Sequence, residues 1–315
     1  MSSENGSRTS LVIGTRGSQL ALWQAEWVQA RLQAVAPHLS IRLERIQTSG
    51  DKILDVPLAK IGGKALFVKE IEEALLRKEI DLAVHSMKDV PSVLPDGLAI
   101  HCVPRREDPQ DALLSRDGRS FHELPSSAKI GTSSLRRQAQ FLAQRPDLSI
   151  HLLRGNLDTR VRKLREGQFD AIVLAAAGLK RLGWTDQITE CLAMDVSLPA
   201  VGQGALGIEG RVDDTFVRDL LAPLNDSISR STVAAERAFL ARLEGGCQVP
   251  IAGHATVEGT TLTLQGLVAT VDGQHVIRDM VSGSVGEAEA LGKALAERIL
   301  DAGGDKILGD IYGRA

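Results

Sequence analysis

The chain contains 315 residues, of which 43% are hydrophobic and 24% are charged. These are ordinary values for a globular protein with a buried core, and they exclude a largely disordered or collagen-like chain. The net charge is −3, which excludes a uniformly cationic nucleic-acid coat. Aromatic residues make up only 3%, too few for a platform that stacks single-stranded bases.

The cysteine pattern and the hydropathy pattern bear on the compartment. Cys102, Cys191 and Cys247 are odd in number and widely spaced, which is not a disulfide framework and is typical of a reducing cytoplasm. No apolar run approaches the roughly 18 residues of a membrane span, and residues 1–10 are polar, so we expect neither a membrane segment nor a signal peptide. We therefore expect a cytoplasmic protein.

Apolar alternation in the first part of the chain predicts strands that alternate with helices. The predicted strands cover residues 10–14, 41–47, 81–87, 98–103 and 111–115, and the predicted helices cover 18–36 and 66–78. This alternation is typical of α/β domains with a parallel sheet between layers of helices.

The same pattern then starts again. Strands are predicted at 129–132, 149–153 and 171–174, and helices at 133–142 and 157–166. Each half begins with a strand that ends in Gly-Thr, at Gly14-Thr15 and at Gly131-Thr132, followed by a serine that can cap a helix. We infer two similar α/β domains.

The last part of the chain has a different pattern. A long helix is predicted over 229–243, three alternating strands over 252–258, 260–270 and 275–282, and a final helix over about 287–302. This order indicates a small α+β domain.

Basic residues are concentrated between residues 129 and 181, where eleven of them face four acids. Arg136, Arg137 and Arg154 lie at predicted strand ends and helix starts, where α/β proteins bind ligands, and arginine pairs well with carboxylate or phosphate. We therefore predict a cleft for a polyanion there. Arg162, Lys163 and Arg165 are instead expected on a solvated helix face.

Other motifs are less specific. Asp89 follows a predicted buried strand, and the pattern leaves open whether it is a catalytic carboxylate or caps the turn before Pro91. The stretch 202–207 matches G-x-G-x-x-G but lacks the strand and helix of a dinucleotide site, so a glycine-rich crossing loop is predicted. Cys247 lies in a tight loop and is an accessible candidate nucleophile. The histidine and cysteine spacing predicts no metal site.

Taken together, these motifs resemble the porphobilinogen deaminase family along nearly the whole chain. The matching blocks are TRGS at 15–18, VPLAKIGGK at 56–64, AVHSMKDVP at 83–91, GTSSLRR at 131–137, LRGN at 153–156, AGLKRL at 177–182, LPAVGQGALG at 198–207 and RLEGGCQVP at 242–250.

The resemblance implies an α/β fold with two lobes like those of periplasmic binding proteins, each a mixed sheet flanked by helices, and a small α+β C-terminal domain. It implies that domain 1 spans 10–104 and 200–222, domain 2 spans 105–199, and domain 3 spans 223–315. The return of the chain to domain 1 is a property of the family and not of the residue pattern.

The resemblance also implies the reaction. Four porphobilinogen molecules condense head to tail with loss of ammonia, and hydrolysis releases hydroxymethylbilane for porphyrin and haem biosynthesis. The chain grows on a dipyrromethane cofactor held by a thioether, for which the matching residue is Cys247. Asp89 matches the catalytic aspartate. No metal is implied.

The pyrroles carry acetate and propionate groups, which require cations. By resemblance, the residues that bind cofactor and substrate are Arg16, Ser18, Lys60, Lys64, Ser86, Lys88, Thr132, Ser133, Ser134, Arg136, Arg137, Arg154, Arg160, Arg181 and Gln203. The expected partner is porphobilinogen alone, without nucleic acid or membrane, and the family suggests a monomer. The alternatives are a non-catalytic two-lobed anion-binding protein, which would need neither Cys247 nor Asp89, and a dinucleotide-dependent oxidoreductase.

Overall fold

The computed structural model describes residues 8–52, 68–245 and 249–313. Within these ranges the strands form two five-stranded sheets and one three-stranded sheet. Helices pack against each of the three sheets. The predicted α/β fold, with two sheet-and-helix lobes and a small C-terminal domain, is confirmed.

The first lobe is built on a mixed sheet in which four strands precede the second lobe and one follows it. Its strands are β1 (Ser10–Thr15), β2 (Ser40–Arg45), β3 (Leu82–Ser86), β4 (Leu98–Cys102) and β10 (Leu206–Arg211), in the order β2-β1-β3-β10-β4. β1 pairs in parallel with β2 and β3, while β10 is antiparallel to β3 and β4. The described helices of this lobe are α1 (Gln19–Val35), α2 (Ser49–Lys52), α3 (Lys69–Leu76) and α7 (Thr215–Leu221).

The second lobe repeats this arrangement. Its strands are β5 (Asp111–Ser115), β6 (Lys129–Gly131), β7 (Ser149–His151), β8 (Ala171–Ala175) and β9 (Glu190–Cys191), in the order β7-β6-β8-β5-β9. β6 is parallel to β7 and β8, and β5 is antiparallel to β8 and β9. The helices are α4 (Leu135–Gln144), α5 (Leu157–Arg165) and α6 (Ala176–Arg181).

The two predicted serine caps explain where α1 and α4 begin. Ser18 Oγ accepts a hydrogen bond from Ala21 N at 3.3 Å, and Ser134 Oγ accepts one from Arg137 N at 3.4 Å. Each serine satisfies a backbone N–H that has no partner within its helix. α1 therefore starts directly after β1 and α4 directly after β6, at the edge where ligands bind in α/β folds.

The C-terminal domain packs three helices against an antiparallel sheet. Strands β11 (Ile251–Glu258), β12 (Thr261–Ala269) and β13 (Val276–Ser284) lie in chain order and are joined by antiparallel pairing. Helices α8 (Ser227–Arg242), α9 (Ala288–Ile299) and α10 (Asp305–Tyr312) belong to the same domain. Phe239 on α8 and Leu295 on α9 are fully buried in its core.

Two predictions near glycines are refined by the structure. The predicted final helix is observed as α9, and its helical backbone continues to residue 302. Gly303 has a φ of 104°, a conformation open chiefly to glycine, and turns the chain before α10. The predicted glycine-rich loop 202–207 is a loop only in its first part, since Leu206 and Gly207 already belong to β10. The predicted helix 66–78 is observed as α3, with residues 66–67 outside the described part of the chain.

Candidate active site

A cleft with a volume of about 800 Å³ lies between the two lobes and the C-terminal domain. Its walls contain most of the residues that the sequence analysis predicted for the site. These are Arg16, Ser18, Ser86, Lys88, Asp89, Ser133, Ser134, Arg136, Arg137, Arg154, Arg160, Arg181 and Gln203. The folded chain thus brings together residues that are up to 187 positions apart.

The remaining predicted residues are placed differently. Thr132 is buried behind the wall, where its Oγ1 accepts a hydrogen bond from Ser134 N at 3.2 Å, so it supports the start of α4. Lys60, Lys64 and Cys247 lie outside the described residues.

Asp89 lies at the end of a single 3-10 turn, Met87–Asp89, that follows β3. The turn is fixed to the loop that precedes β10, because Met87 N donates a hydrogen bond to the carbonyl of Ala205 at 3.0 Å. Within the described part of the chain, no hydrogen bond to the Asp89 carboxylate is formed, and Asp89 lines the cleft. Its carboxylate is therefore available to a ligand, and its position depends on the backbone of its turn.

Lys88 is the neighbour of Asp89 on the cleft wall. Burial lowers the pKa of Lys88 to about 8, although the negative charge of Asp89 opposes this shift. Its Nζ lies 3.5 Å from Gln203 Oε1. Lys88 is therefore a cation whose charge titrates close to neutral pH.

A fully buried carboxylate organises the arginine pair at the start of α4. Asp111, the first residue of β5, accepts hydrogen bonds on both oxygens from Arg136 Nη1 and Nη2, at 2.8 and 3.2 Å. It also accepts them from Arg137 Nε and Nη2, at 3.0 and 2.7 Å. Ser197 and Gln203 complete the set at 2.6 and 2.8 Å. Burial alone raises the pKa of Asp111, but the two guanidinium groups hold it well below its ordinary value.

This network changes how the predicted roles of Arg136 and Arg137 are understood. Both side chains are buried and share one counter-ion, so together they carry one excess positive charge. Arg137 Nη1 donates to the Val173 carbonyl at 2.7 Å. The Nε of Arg136 is buried, and it has no hydrogen-bond partner among the described residues. Much of the hydrogen-bonding capacity of the pair is therefore used to build the wall.

Replacing Asp111 by asparagine is expected to destabilise the protein by about 3–5 kcal/mol, because two buried guanidinium groups lose their counter-ion. The measurement is chemical unfolding of the purified variant. The matched control is Asp147→Asn. Asp147 also forms a bidentate ion pair with an arginine, Arg145, but this pair lies at the surface. The control should lose about 1 kcal/mol or less. Equal losses in the two variants would contradict the role given to Asp111.

Three further arginines face the cleft from the second lobe. Burial lowers the pKa of Arg160 to about 10, with Arg137 and Arg154 adding to this effect, and burial lowers that of Arg181 to about 10. Burial also lowers the pKa of Arg154. All three stay charged at neutral pH. Their positive charges repel one another, and a bound anion would relieve this repulsion.

The structure adds residues that the sequence analysis missed. Arg45, at the end of β2, lines the cleft, and its position at a strand end was the available signal. Asp111 was missed because an acid at the start of an apolar strand looks like an ordinary boundary residue. Among described residues that line the cleft, eight are Arg or Lys and three are Asp or Glu, so the cleft is cationic.

The connection from the second lobe to β10 is held by the C-terminal domain. The fully buried carboxylate of Glu236 on α8 accepts hydrogen bonds from Gly202 N at 2.7 Å and from Arg106 Nη1 at 2.6 Å. Gly204 has a φ of 87°, and a Cβ at this position would collide with the carbonyl of Glu107. This loop therefore requires glycine, and it presents Gln203 to Lys88 and Asp111.

Both sides of the segment that contains Cys247 reach the cleft. Glu244 and Gly245 precede the undescribed residues 246–248, Val249 follows them, and all three line the cleft. Tyr312 at the end of α10 donates its hydroxyl to the Glu244 carbonyl at 2.9 Å. The C-terminal helix thus contacts the chain just before this segment.

Comparison with family models assigns nearly all of the chain. Residues 11–219 match the model described as "Porphobilinogen deaminase, dipyromethane cofactor binding domain". Residues 231–301 match the model of the porphobilinogen deaminase C-terminal domain. The chain belongs to the porphobilinogen deaminase family.

Curated relatives agree with this assignment. Porphobilinogen deaminase of Syntrophotalea carbinolica is 62% identical over 96% of this chain and 96% of its own length. The enzymes of Trichlorobacter lovleyi and Geobacter metallireducens are 59% and 58% identical, over 96% of this chain and over 97% and 95% of their own lengths. The family, the enzyme class and the dipyrromethane cofactor predicted from the sequence are confirmed. Porphobilinogen deaminases are transferases that polymerise porphobilinogen to hydroxymethylbilane in tetrapyrrole biosynthesis, which is the activity of this chain.

Similarity to solved structures is more distant. The second VFT domain of BvgS from Bordetella pertussis has a TM-score of 0.43 at 13% identity and covers 74% of this chain and 93% of that chain. The extracellular-binding protein YtmK of Bacillus subtilis has a TM-score of 0.42 at 9% identity, with 69% and 90% covered.

No described helix combines the length and the apolar character that crossing a membrane requires. Nor do His, Cys, Asp and Glu side chains of the described residues form a group of three that could hold a metal ion.

Proposed function

We propose that Asp89 is the catalytic residue of this porphobilinogen polymerase and that Cys247 holds the dipyrromethane cofactor. The observation that carries the proposal is that Asp89 lies in a cationic cleft with an available carboxylate, and that residues flanking Cys247 on both sides line the same cleft. A non-catalytic anion-binding protein would need the cations but neither of these two residues.

The residues of the cleft fit a polycarboxylate ligand. Dipyrromethane and the pyrroles added to it carry an acetate and a propionate on every ring, and the described part of the cleft has eight cations. We propose that Arg16, Lys88, Arg154, Arg160 and Arg181 bind these carboxylates directly. Arg136 and Arg137 contribute their shared excess positive charge. Ser18, Ser86, Ser133, Ser134 and Gln203 add neutral donors, and Lys60 and Lys64 are proposed from the family motif alone.

When bound, the dipyrromethane supplies the nucleophilic pyrrole on which the product chain is built. The role of the protein is to bind the incoming porphobilinogen and to stabilise the positive charge that develops on it as ammonia leaves. The carboxylate of Asp89 does this electrostatically and can accept the proton that the pyrrole must lose. Arg160 and Lys88 lie within electrostatic reach of Asp89 and would hold pyrrole carboxylates close to it.

Lys88 gives the reaction a pH dependence. Since its pKa is lowered to about 8, the side chain is charged below this pH and loses its charge as the pH rises through it. We expect kcat/KM, which reports ionisations of the free enzyme, to fall above about pH 8.

Lys88→Arg is the matched variant, because guanidinium stays charged throughout this range. Its kcat/KM should stay level to a higher pH than that of the wild type, although it is lower at pH 7 because of the changed shape. Identical alkaline limbs in wild type and Lys88→Arg would exclude Lys88 as the titrating group.

We also propose the domain bounds 10–104 with 200–222, 105–199 and 223–315. The place of β10 between β3 and β4 supports the return of the chain to the first domain. We further propose that the protein works as a monomer in the cytoplasm without nucleic acid. The widely spaced cysteines and the net charge of −3 support the last two points.

The experiment that tests the proposed function is the intact mass of the purified protein, followed by a product assay. The wild type should be heavier than its polypeptide by two porphobilinogen units less two ammonia molecules, and should release hydroxymethylbilane when porphobilinogen is added. If the mass is that of the bare polypeptide, it is measured again after incubation with porphobilinogen. A protein that still gains no mass and forms no product would contradict the proposal.

A further inference from the structure

An arginine of the C-terminal domain binds the segment that follows Asp89. Arg237 lies on α8, and its Nη1 donates to the carbonyl of Val90 at 3.2 Å. Its Nη2 donates to the carbonyls of Pro91 and Ser92 at 2.6 and 3.3 Å. One guanidinium therefore holds three consecutive carbonyls directly after Asp89.

This arrangement is energetically costly for a charged group. Burial lowers the pKa of Arg237, and the more distant carboxylate of Glu209 only partly opposes this shift. Within the described residues Arg237 forms no ion pair, and the oxygens that accept its hydrogen bonds are backbone carbonyls. A guanidinium taken out of water without a paired anion loses solvation energy. An apolar side chain at this position would therefore pack α8 against the first lobe at a lower cost in free energy.

Asp89 lies directly before the three residues that Arg237 holds. Its carboxylate has no hydrogen bond within the described part of the chain, so no side-chain bond fixes it. The turn is held on its first side by Met87 N, which donates to the Ala205 carbonyl at 3.0 Å. Arg237 holds the other side, from Val90 onwards, and its Nη1 also donates to Met87 Sδ at 3.8 Å. The two anchors together define where the Asp89 carboxylate points.

We propose that Arg237 is a positioning residue, which acts on the reaction by fixing the turn that carries Asp89. Arg237 does not line the cleft, so it does not bind carboxylates of the substrate. Its effect is transmitted through three backbone carbonyls, and it couples α8 of the C-terminal domain to the turn after β3. The proposal rests on the proposed catalytic role of Asp89.

The test compares Arg237→Met with Arg230→Met in the cofactor-loaded enzyme. Arg230 is a matched control because it lies on the same helix and its Nη1 also donates to a carbonyl of the first lobe, that of His101, at 2.9 Å. We expect Arg237→Met to lower kcat about 30-fold with KM changed less than about 2-fold, since a carboxylate displaced by roughly 1 Å costs up to about 100-fold in rate. Arg230→Met should keep both constants within about 2-fold.

Two further readouts separate positioning from a structural role. The intact mass of Arg237→Met should still show the cofactor, and Arg237→Lys should recover part of kcat, because an ammonium can donate to at least one of the three carbonyls. Loss of the cofactor, a rise in KM that accounts for the loss of kcat/KM, or equal kcat in Arg237→Met and Arg230→Met would each overturn the proposal.

A double variant distinguishes this proposal from the proposed function. If Arg237 acts through Asp89, adding Arg237→Met to Asp89→Glu should lower kcat by less than about 3-fold, because the carboxylate is already misplaced. A full further loss would show that Arg237 acts elsewhere and leave the role of Asp89 intact. Near-normal turnover of Asp89→Glu alone would reject the role of Asp89 and this proposal together.

Discussion

The variant Asp89→Glu is expected to turn over porphobilinogen about 100 to 1000-fold more slowly than the wild type while keeping its cofactor. The extra methylene preserves the charge but moves the carboxylate by more than 1 Å, and displacements of this size cost about 100-fold in well-aligned active sites. The turn Met87–Asp89 is held at both sides, by Ala205 and by Arg237, so it cannot retreat to compensate. The measurements are kcat under saturating porphobilinogen and the intact mass.

The control for this prediction is Asp158→Glu. Asp158 also lines the cleft, at the start of α5, but it is exposed. The same added methylene there should change kcat by less than about 3-fold. If both variants turn over at the wild-type rate, Asp89 has no part in the mechanism. If both are equally slow, an added methylene anywhere on the cleft wall slows the reaction, and the position of the Asp89 carboxylate has no special role.

Replacing Cys247 by serine is expected to give a protein with the mass of the bare polypeptide and no measurable turnover. A thiol reaches its nucleophilic thiolate near neutral pH far more readily than a serine hydroxyl loses its proton, so the serine does not form the bond that holds the cofactor. Without a covalently held primer the first porphobilinogen has no acceptor. Intact mass before and after incubation with porphobilinogen measures this directly.

The other two cysteines provide the controls. Burial raises the pKa of the Cys102 thiol to about 12, and burial also raises that of Cys191. Both thiols stay protonated and are poor nucleophiles. Cys102→Ala and Cys191→Ala should therefore keep the added mass and the activity. A Cys247→Ser protein that still carries the added mass, beside a control that has lost it, would move the attachment site to another cysteine.

Much of the secondary structure was predictable because its causes are local. Ser18 and Ser134 cap their helices as the sequence pattern indicates, and the predicted strand 111–115 coincides with β5. The predictions were less accurate where a single residue changes the chain direction. α10 was missed because the turn at Gly303 looks, in sequence, like the fraying end of one helix.

The antiparallel strand of the first sheet shows a different limit. Residues 206–211 form β10 because they pair with both β3 and β4, which are not paired with each other. These two strands lie more than 100 residues earlier in the chain. Local propensity does not contain that information. The glycines at 202 and 204 were visible in the sequence, but the reason for Gly204, the close approach of the Glu107 carbonyl, exists only in the folded chain.

The sequence by itself determined the family, the reaction and the identity of the candidate residues, because the motifs that carry them are short and contiguous. The tertiary structure decided how those residues are used. Asp111 accepts four hydrogen bonds from Arg136 and Arg137, and Arg237 holds the three backbone carbonyls that follow Asp89. The first set of contacts forms when the second lobe folds, and the second forms only when the C-terminal domain packs against the first lobe. Burial, which sets the strength of these interactions, is a property of that packing.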